Sequence, residues 1–124
     1  MTPFGKKLRE MRAERGIALK NMAHAIGVSP AYLSALEHGH RGQPTFYLVQ
    51  RIIGFFNVIW DEAEELERLA HLSHPRATID TSGLSDQATE LANLLSQHIG
   101  DLDGTDLEAL LTALKERLRK KRIS

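Results

Sequence analysis

Apolar residues recur at intervals of three and four along the first part of the chain, which is the spacing of amphipathic helices. The predicted helices span about 3–15, 18–26, 29–38, 45–56 and 60–71. Gly16, Gly27 and Gly39 mark the ends of the first three, because glycine accepts the left-handed backbone that closes a helix. Ser29 and Thr45 are the predicted N-caps of the third and fourth helices.

The pattern changes between residues 74 and 84, where proline, glycine and small polar residues predict a linker. Two further helices are expected beyond it, at about 85–99 and 105–121. In the last helix, leucines follow the spacing of four, three and four residues that is typical of packed helices. The candidate dimerisation residues are Leu107, Leu110, Leu111, Leu114 and Leu118.

The predicted fold class is therefore all-α. A five-helix domain is expected at 1–73, a linker at 74–84 and a two-helix hairpin at 85–124. A two-helix hairpin buries little apolar surface by itself, so it needs something to pack against. We favour dimerisation with a second copy of the chain, and the alternatives are packing within the monomer and a face for a protein partner.

Charge is segregated along the chain, although the formal net charge is zero. Residues 1–60 carry eight Lys and Arg against three Asp and Glu, whereas residues 61–75 carry one Arg against five acidic residues. A basic N-terminal half is suited to local contact with a polyanion. No apolar run approaches the roughly 20 residues of a membrane span and the N-terminus does not resemble a signal peptide, so a cytoplasmic protein is expected.

Several other kinds of site are not predicted. The chain has no cysteine, which excludes disulfides and thiolate metal sites. His71 and His74 have the spacing of a helical metal-binding pair, but no third ligand is placed beside them, so neither a metal nor a cofactor is expected. No nucleophile and base are arranged for catalysis, and an enzyme is not expected. The aromatic residues assigned to the core rather than to a ligand pocket are Phe46, Phe55, Phe56 and Trp60.

The second and third predicted helices have the spacing of a helix-turn-helix. Ala23 lies four residues before Gly27, and a small side chain there allows the two helices to cross closely. Val28, Leu33 and Leu36 are predicted to pack on the core. The opposite face of the third helix would then meet the major groove of DNA. Its residues are Pro30, Ala31, Tyr32, Ser34 and Ala35.

Residues 6–66 resemble the Xre/Cro family of helix-turn-helix regulators, whose five-helix fold is that of the lambdoid phage repressors. The most specific part of the resemblance is GVSPAYLSALEHG, residues 27–39. It implies a sequence-specific, nucleoid-associated transcriptional regulator, most simply a dimeric repressor that binds a palindromic operator in double-stranded DNA. The resemblance covers about half of the chain and does not extend to residues 84–124.

The resemblance also implies roles for individual residues. Arg12 and Glu37 occupy positions that pair across the fold in this family. The start of the third helix would face the bases, while its exit, the following loop and the start of the second helix would face phosphates. The implied DNA-binding residues are Lys20, Ser29, Pro30, Ala31, Tyr32, Ser34, Ala35, His38, His40 and Arg41. Further candidate phosphate contacts are Lys6, Lys7, Arg9 and Arg51.

Two departures weaken the implied DNA contacts. The family usually begins its second helix with Thr-Gln-Glu, where this chain has Ala18, Leu19 and Lys20, so the N-cap and a phosphate-contacting Gln are lost. The recognition face also lacks Arg, Lys, Gln and Asn, whose bidentate base contacts each contribute about 1–3 kcal/mol. Contacts with thymine methyl groups, single hydrogen bonds from Tyr32 and Ser34, and DNA shape remain available. The weak face motivates an alternative, a protein-interaction module such as an antitoxin or an antiactivator.

Overall fold

The computed structural model describes residues 1–41 and 43–123, and the side chains of residues 1–41 and 43–122. Within these residues the fold is all-α, as predicted, and no strand occurs. The described helices are α1 (Pro3–Glu14), α2 (Leu19–Ile26), α3 (Pro30–Glu37), α4 (Phe46–Phe56), α5 (Asp61–His71), α6 (Asp86–His98) and α7 (Gly104–Ile123), with a short 3-10 helix at Ile99–Asp101. None of the described helices combines the length and apolar character needed to cross a lipid bilayer.

The chain divides into two compact units, one of residues 1–77 and one that begins at Thr78. The division falls inside the predicted linker, residues 74–84. In the first unit α1 packs on α3 and α5, while α4 packs on α2 and α5.

Side-chain caps explain where three helices of the first unit begin. Thr2 Oγ1 accepts a hydrogen bond of 3.0 Å from Gly5 N, which fixes the start of α1. Ser29 Oγ accepts from Tyr32 N at 3.0 Å, and Thr45 Oγ1 accepts from the backbone of α4 at 3.2 Å. Each cap satisfies a backbone donor that the first helical turn leaves without a partner.

The core of the first unit is formed by the apolar faces of all five helices. Its buried residues are Phe4, Leu8, Met11, Met22, Ala23, Ile26, Leu33, Leu36, Leu48, Val49, Ile52, Phe56, Val58, Leu66 and Ala70. Ser73, just beyond α5, is buried with them, and its Oγ accepts a hydrogen bond of 2.9 Å from Phe4 N while donating to Leu69 O. Ser73 therefore fastens the end of α5 to the start of α1.

The prediction that the aromatic residues fill the core is wrong for two of them. Phe56 is buried and Phe55 packs partly against the core, but Phe46 is 69% exposed and Trp60 is 79% exposed. Phe46 is the first residue of α4, on its outer side. Trp60 precedes α5 with φ 54° and ψ −121°, a non-helical conformation, so the direction of its side chain does not follow the helical periodicity.

The second unit contains α6, the 3-10 helix and α7. Ser85 Oγ caps α6, and Asp103 and Asp106 cap α7 reciprocally through each other's backbone N–H groups. No described side chain from residue 78 to residue 122 is buried. The exposed large apolar residues of the second unit are Ile79, Leu84, Leu91, Leu94, Ile99, Leu110, Leu111, Leu114 and Leu118.

Candidate nucleic-acid interface

The turn between α2 and α3 is held by a backbone hydrogen bond of its own and by a side chain of α4. Gly27 adopts φ 77°, a left-handed conformation that ends α2, and Val28 N donates to Ala23 O at 3.0 Å. Arg51 reaches from α4 and donates to Ile26 O at 2.9 Å. Its guanidinium thus satisfies a carbonyl at the end of α2, which gives this candidate phosphate contact a structural role.

An ion pair between the partly exposed Arg12 and the buried Glu37 fixes the end of α3. Arg12 Nε and Nη2 donate to the two carboxylate oxygens of Glu37 at 2.9 and 3.0 Å, and the Glu37 side chain is 0% exposed. Arg12 Nη1 also donates to Ile17 O, so the guanidinium has three protein acceptors. The hydrogen bond with Glu37 raises the pKa of Arg12 above its ordinary value, despite some desolvation. The pair ties α1 to the last turn of α3 and leaves neither charge free for DNA.

A close approach of α1 and α3 accompanies this pair. A Cβ atom on Gly5 would lie 2.6 Å from Leu36 O and Glu37 O, closer than van der Waals contact permits. Glycine at this position therefore lets the start of α1 cross the end of α3. The missing side chain at Gly5, the packing of α1 on α3 and the Arg12–Glu37 pair together fix the orientation of α3.

The face of α3 that was predicted to meet the bases is accessible. Ser29, Pro30 and Ala31 are exposed, while Tyr32, Ser34 and Ala35 are half-buried. The Tyr32 ring also packs against the edge of the core. The N-terminal half of α3 thus presents small apolar and hydroxyl groups, and its surface carries no charge of its own.

The loop after α3 brings positive charge and imidazoles to this face. Gly39 adopts φ 75°, and His40 N donates to Ala35 O at 2.8 Å, which folds the loop back on α3. His38 Nδ1 lies 2.8 Å from Ser34 O, and the exposed Arg41 guanidinium lies 5.7 Å from the centre of the Tyr32 ring. The three loop residues predicted to contact phosphate, His38, His40 and Arg41, are all exposed.

The start of α2 differs from the usual family pattern, as its sequence indicates. Ala18 takes the N-cap position without a side-chain hydrogen bond to the helix. Leu19 is half-buried and packs against the core, whereas Lys20 is exposed. Leu19 therefore contributes to the edge of the core, and Lys20 remains accessible to a phosphate.

The other candidate cations vary in availability. Lys6 is exposed, but Lys7 Nζ lies 4.0 Å from Glu65 Oε1. Arg9 is half-buried, and its Nη2 lies 3.5 Å from Met1 Sδ. These contacts make Lys6 the better placed of the three for phosphate.

The two histidines of the considered metal pair have other neighbours. His71 Nδ1 lies 3.2 Å from Gln43 Nε2, and His74 Nδ1 accepts a hydrogen bond from Arg76 N. The described residues contain no group of three or more His, Asp or Glu side chains that could hold a metal ion.

Comparison with known proteins finds similarity to helix-turn-helix regulators over part of the chain. Residues 8–62 match the family model HTH_3, described as helix-turn-helix. The uncharacterized HTH-type transcriptional regulator RghRB of Bacillus subtilis is 33% identical over 61 residues, which cover 49% of this chain and 44% of RghRB. The HTH-type transcriptional repressor RghR of the same organism is 43% identical over 44 residues, 36% of this chain and 33% of RghR.

A solved structure of a SinR protein/SinI protein complex is also similar, with a TM-score of 0.46 and 18% identity over 94% of this chain and 98% of that one. The matched segments span less than half the length of RghRB and RghR. The match to the family model lies within the first unit, which contains the turn, the caps and the Arg12–Glu37 pair. Residues 8–62 thus resemble the helix-turn-helix family that this model describes, in agreement with the resemblance seen in the sequence.

Proposed function

We propose that this protein is a DNA-binding transcriptional regulator that acts as a dimeric repressor on a palindromic operator. The observation that carries the proposal is the accessible outer face of α3, flanked by the exposed cation-bearing loop and supported from behind by the Arg12–Glu37 pair. This arrangement is suited to placing the N-terminal half of α3 in the major groove while the loop meets the backbone.

The side chains on α3 define how a sequence would be distinguished. Pro30, Ala31 and Ala35 offer apolar contact to thymine methyl groups, and Ser34 offers a single hydrogen bond. Lys20, together with His38, His40 and Arg41, would supply phosphate contacts that position the helix without reading sequence. Discrimination would thus depend on methyl groups and on the deformability of the site.

Two copies of α3 are needed for a specific site under this proposal. The helix has eight residues, a length of about 12 Å, which covers only a few base pairs. Two-fold dimers place their recognition helices about 34 Å apart on one side of the duplex. The second unit is the proposed source of the dimer, because its exposed leucines lack an internal core and would be buried against the same face of a second copy.

DNA binding is tested by fluorescence anisotropy of the full chain. One labelled duplex comes from upstream of the protein's own gene, and the control is a scrambled duplex of equal length and composition. We expect a preference of about a thousandfold for the upstream duplex at near-physiological salt. Equal affinities, or no binding, would contradict sequence-specific regulation and would favour the protein-interaction module.

Dimerisation is tested separately by sedimentation of the full chain and of a fragment of residues 1–77. The full chain is expected to sediment as a dimer at micromolar concentration and the fragment as a folded monomer. Leu114→Asp in the full chain is the matched control, since it places a charge on the exposed apolar face without shortening the protein. A dimeric fragment would place the main interface in the first unit instead.

A further inference from the structure

Tyr32 and Arg41 form a contact that their separation in the chain does not reveal. They stand nine positions apart, but the loop after α3 returns along the helix through the hydrogen bond from His40 N to Ala35 O. The Arg41 Cζ atom lies 5.7 Å from the centre of the Tyr32 ring, within the range of a cation–π interaction.

The two partners differ in burial. The Tyr32 ring is half-buried against the edge of the core, and its backbone N donates to Ser29 Oγ at 3.0 Å. Arg41 is exposed on a loop. The ring therefore provides a fixed surface for a guanidinium that would otherwise sample many rotamers in solvent.

The guanidinium also supplies what this part of α3 lacks. Residues 29–36 contain no charged side chain. The guanidinium carries five N–H donors, and those turned away from the Tyr32 ring remain able to donate to a phosphate. The contact thus places a preorganised anion-binding group beside the proposed recognition face.

We infer that Tyr32 is a positioning residue, whose ring holds Arg41 ready to bind a DNA phosphate. This inference rests on the proposed DNA-binding function. It replaces the expected hydrogen bond from the Tyr32 hydroxyl to a base as the contribution of this side chain. Affinity gained this way is independent of base sequence, because the group that meets DNA binds the backbone.

The test is a double-mutant cycle on the full chain, using anisotropy with a random-sequence duplex of about 20 base pairs at low salt, where phosphate contacts dominate. Tyr32→Leu is expected to weaken binding about two- to fivefold, the usual range for an exposed cation–π contact. Tyr32→Phe keeps the ring and is expected to bind like the parent protein. Arg41→Ala is expected to lower the salt dependence of binding by about one phosphate contact.

The decisive variant combines Tyr32→Leu with Arg41→Ala. If Tyr32 acts through Arg41, the tyrosine substitution causes no further loss once Arg41 is absent. Additive losses would overturn the inference, and so would a loss from Tyr32→Phe equal to that from Tyr32→Leu, since the hydroxyl would then contact DNA itself.

A second aromatic–arginine contact in the same unit provides the matched control. Arg15 Cζ lies 5.1 Å from the centre of the Phe56 ring, and neither residue belongs to the proposed interface. Arg15→Ala removes the same charge and the same kind of contact. We expect it to change duplex affinity less than Arg41→Ala, and an equal change would indicate a general charge effect.

One further measurement separates this inference from the proposed function. In the free protein, NMR should show the Arg41 side-chain protons shifted upfield by the Tyr32 ring, and Tyr32→Leu should abolish that shift. If the shift is absent, the Tyr32 ring does not hold Arg41, and the inference fails even if DNA binding is strong. If the shift is present but the parent chain binds no duplex, the proposed function fails and the contact has another use, which also overturns the role assigned to it.

Discussion

The two units have similar helical sequence patterns but very different degrees of burial. In the first unit Leu36 is 2% exposed, whereas Leu114 in the second unit is 55% exposed. Both leucines lie at helix positions that their apolar spacing marks as inward. Periodicity therefore determines which face of a helix is apolar, but it does not determine what covers that face. The first unit covers its faces internally, and the second leaves them available.

This difference predicts which unit has a stability that depends on protein concentration. The first unit has an internal core and should unfold at the same denaturant concentration whatever the protein concentration. If the second unit is the dimer interface, its unfolding should shift to higher denaturant as protein concentration rises. Matched substitutions, one in each unit, test this difference.

The largest effect is expected for the glutamates. Glu37→Ala leaves Arg12 without its buried partner, and we expect the free energy of unfolding of the first unit to fall by about 3–5 kcal/mol. Glu116 pairs with Arg119 on the surface of α7, so Glu116→Ala should cost less than about 1 kcal/mol. Urea titrations followed by circular dichroism measure both. Similar losses for the two variants would contradict the difference in burial.

The leucines give the next largest effect. Leu36→Ala creates a cavity in a closed core, which should cost the first unit about 2–5 kcal/mol. Leu114→Ala should leave the unfolding of the first unit unchanged and should weaken self-association instead. Thermal unfolding and sedimentation at several concentrations distinguish these outcomes. If Leu114→Ala left the sedimentation of the full chain unaltered, that leucine would lie outside the interface.

Substitution of the capping serines should have the smallest effect on the stability of the two units. Ser29 and Ser85 make the same N-cap hydrogen bond, at 3.0 and 3.2 Å, so each Ser→Ala substitution should cost its own helix about 1 kcal/mol. In the first unit this loss should appear directly in urea titrations. In the second unit it should appear as weaker association. A concentration-dependent effect of Ser29→Ala would show that the units are not independent.

Helix boundaries were largely predictable from the sequence because caps and glycines act locally. The predicted third helix, 29–38, and the observed α3, Pro30–Glu37, agree because Ser29 and Gly39 need only their immediate neighbours to start and stop it. The aromatic residues show the limit of the same argument. Trp60 stands before α5 with a non-helical backbone, so helical periodicity says nothing about the direction of its side chain.

The parts of the site that escaped prediction depend on residues distant in sequence. Ser73 is the last residue of the predicted domain, at the edge of the linker, but it is buried because the end of α5 meets the start of α1. Arg51 looked like a phosphate contact, yet it caps a carbonyl twenty-five positions away. Such roles follow from how helices pack, and a single sequence without its fold contains no local signal for them.

The Ser73 contact has a mechanical consequence. Because its hydroxyl holds Phe4 N, the chain leaves the first unit at an anchored point rather than from a fraying helix end. A pull transmitted along the connecting segment would load the seam between α1 and α5 first. That load would also reach the end of α3, because the Arg12–Glu37 pair joins α3 to α1.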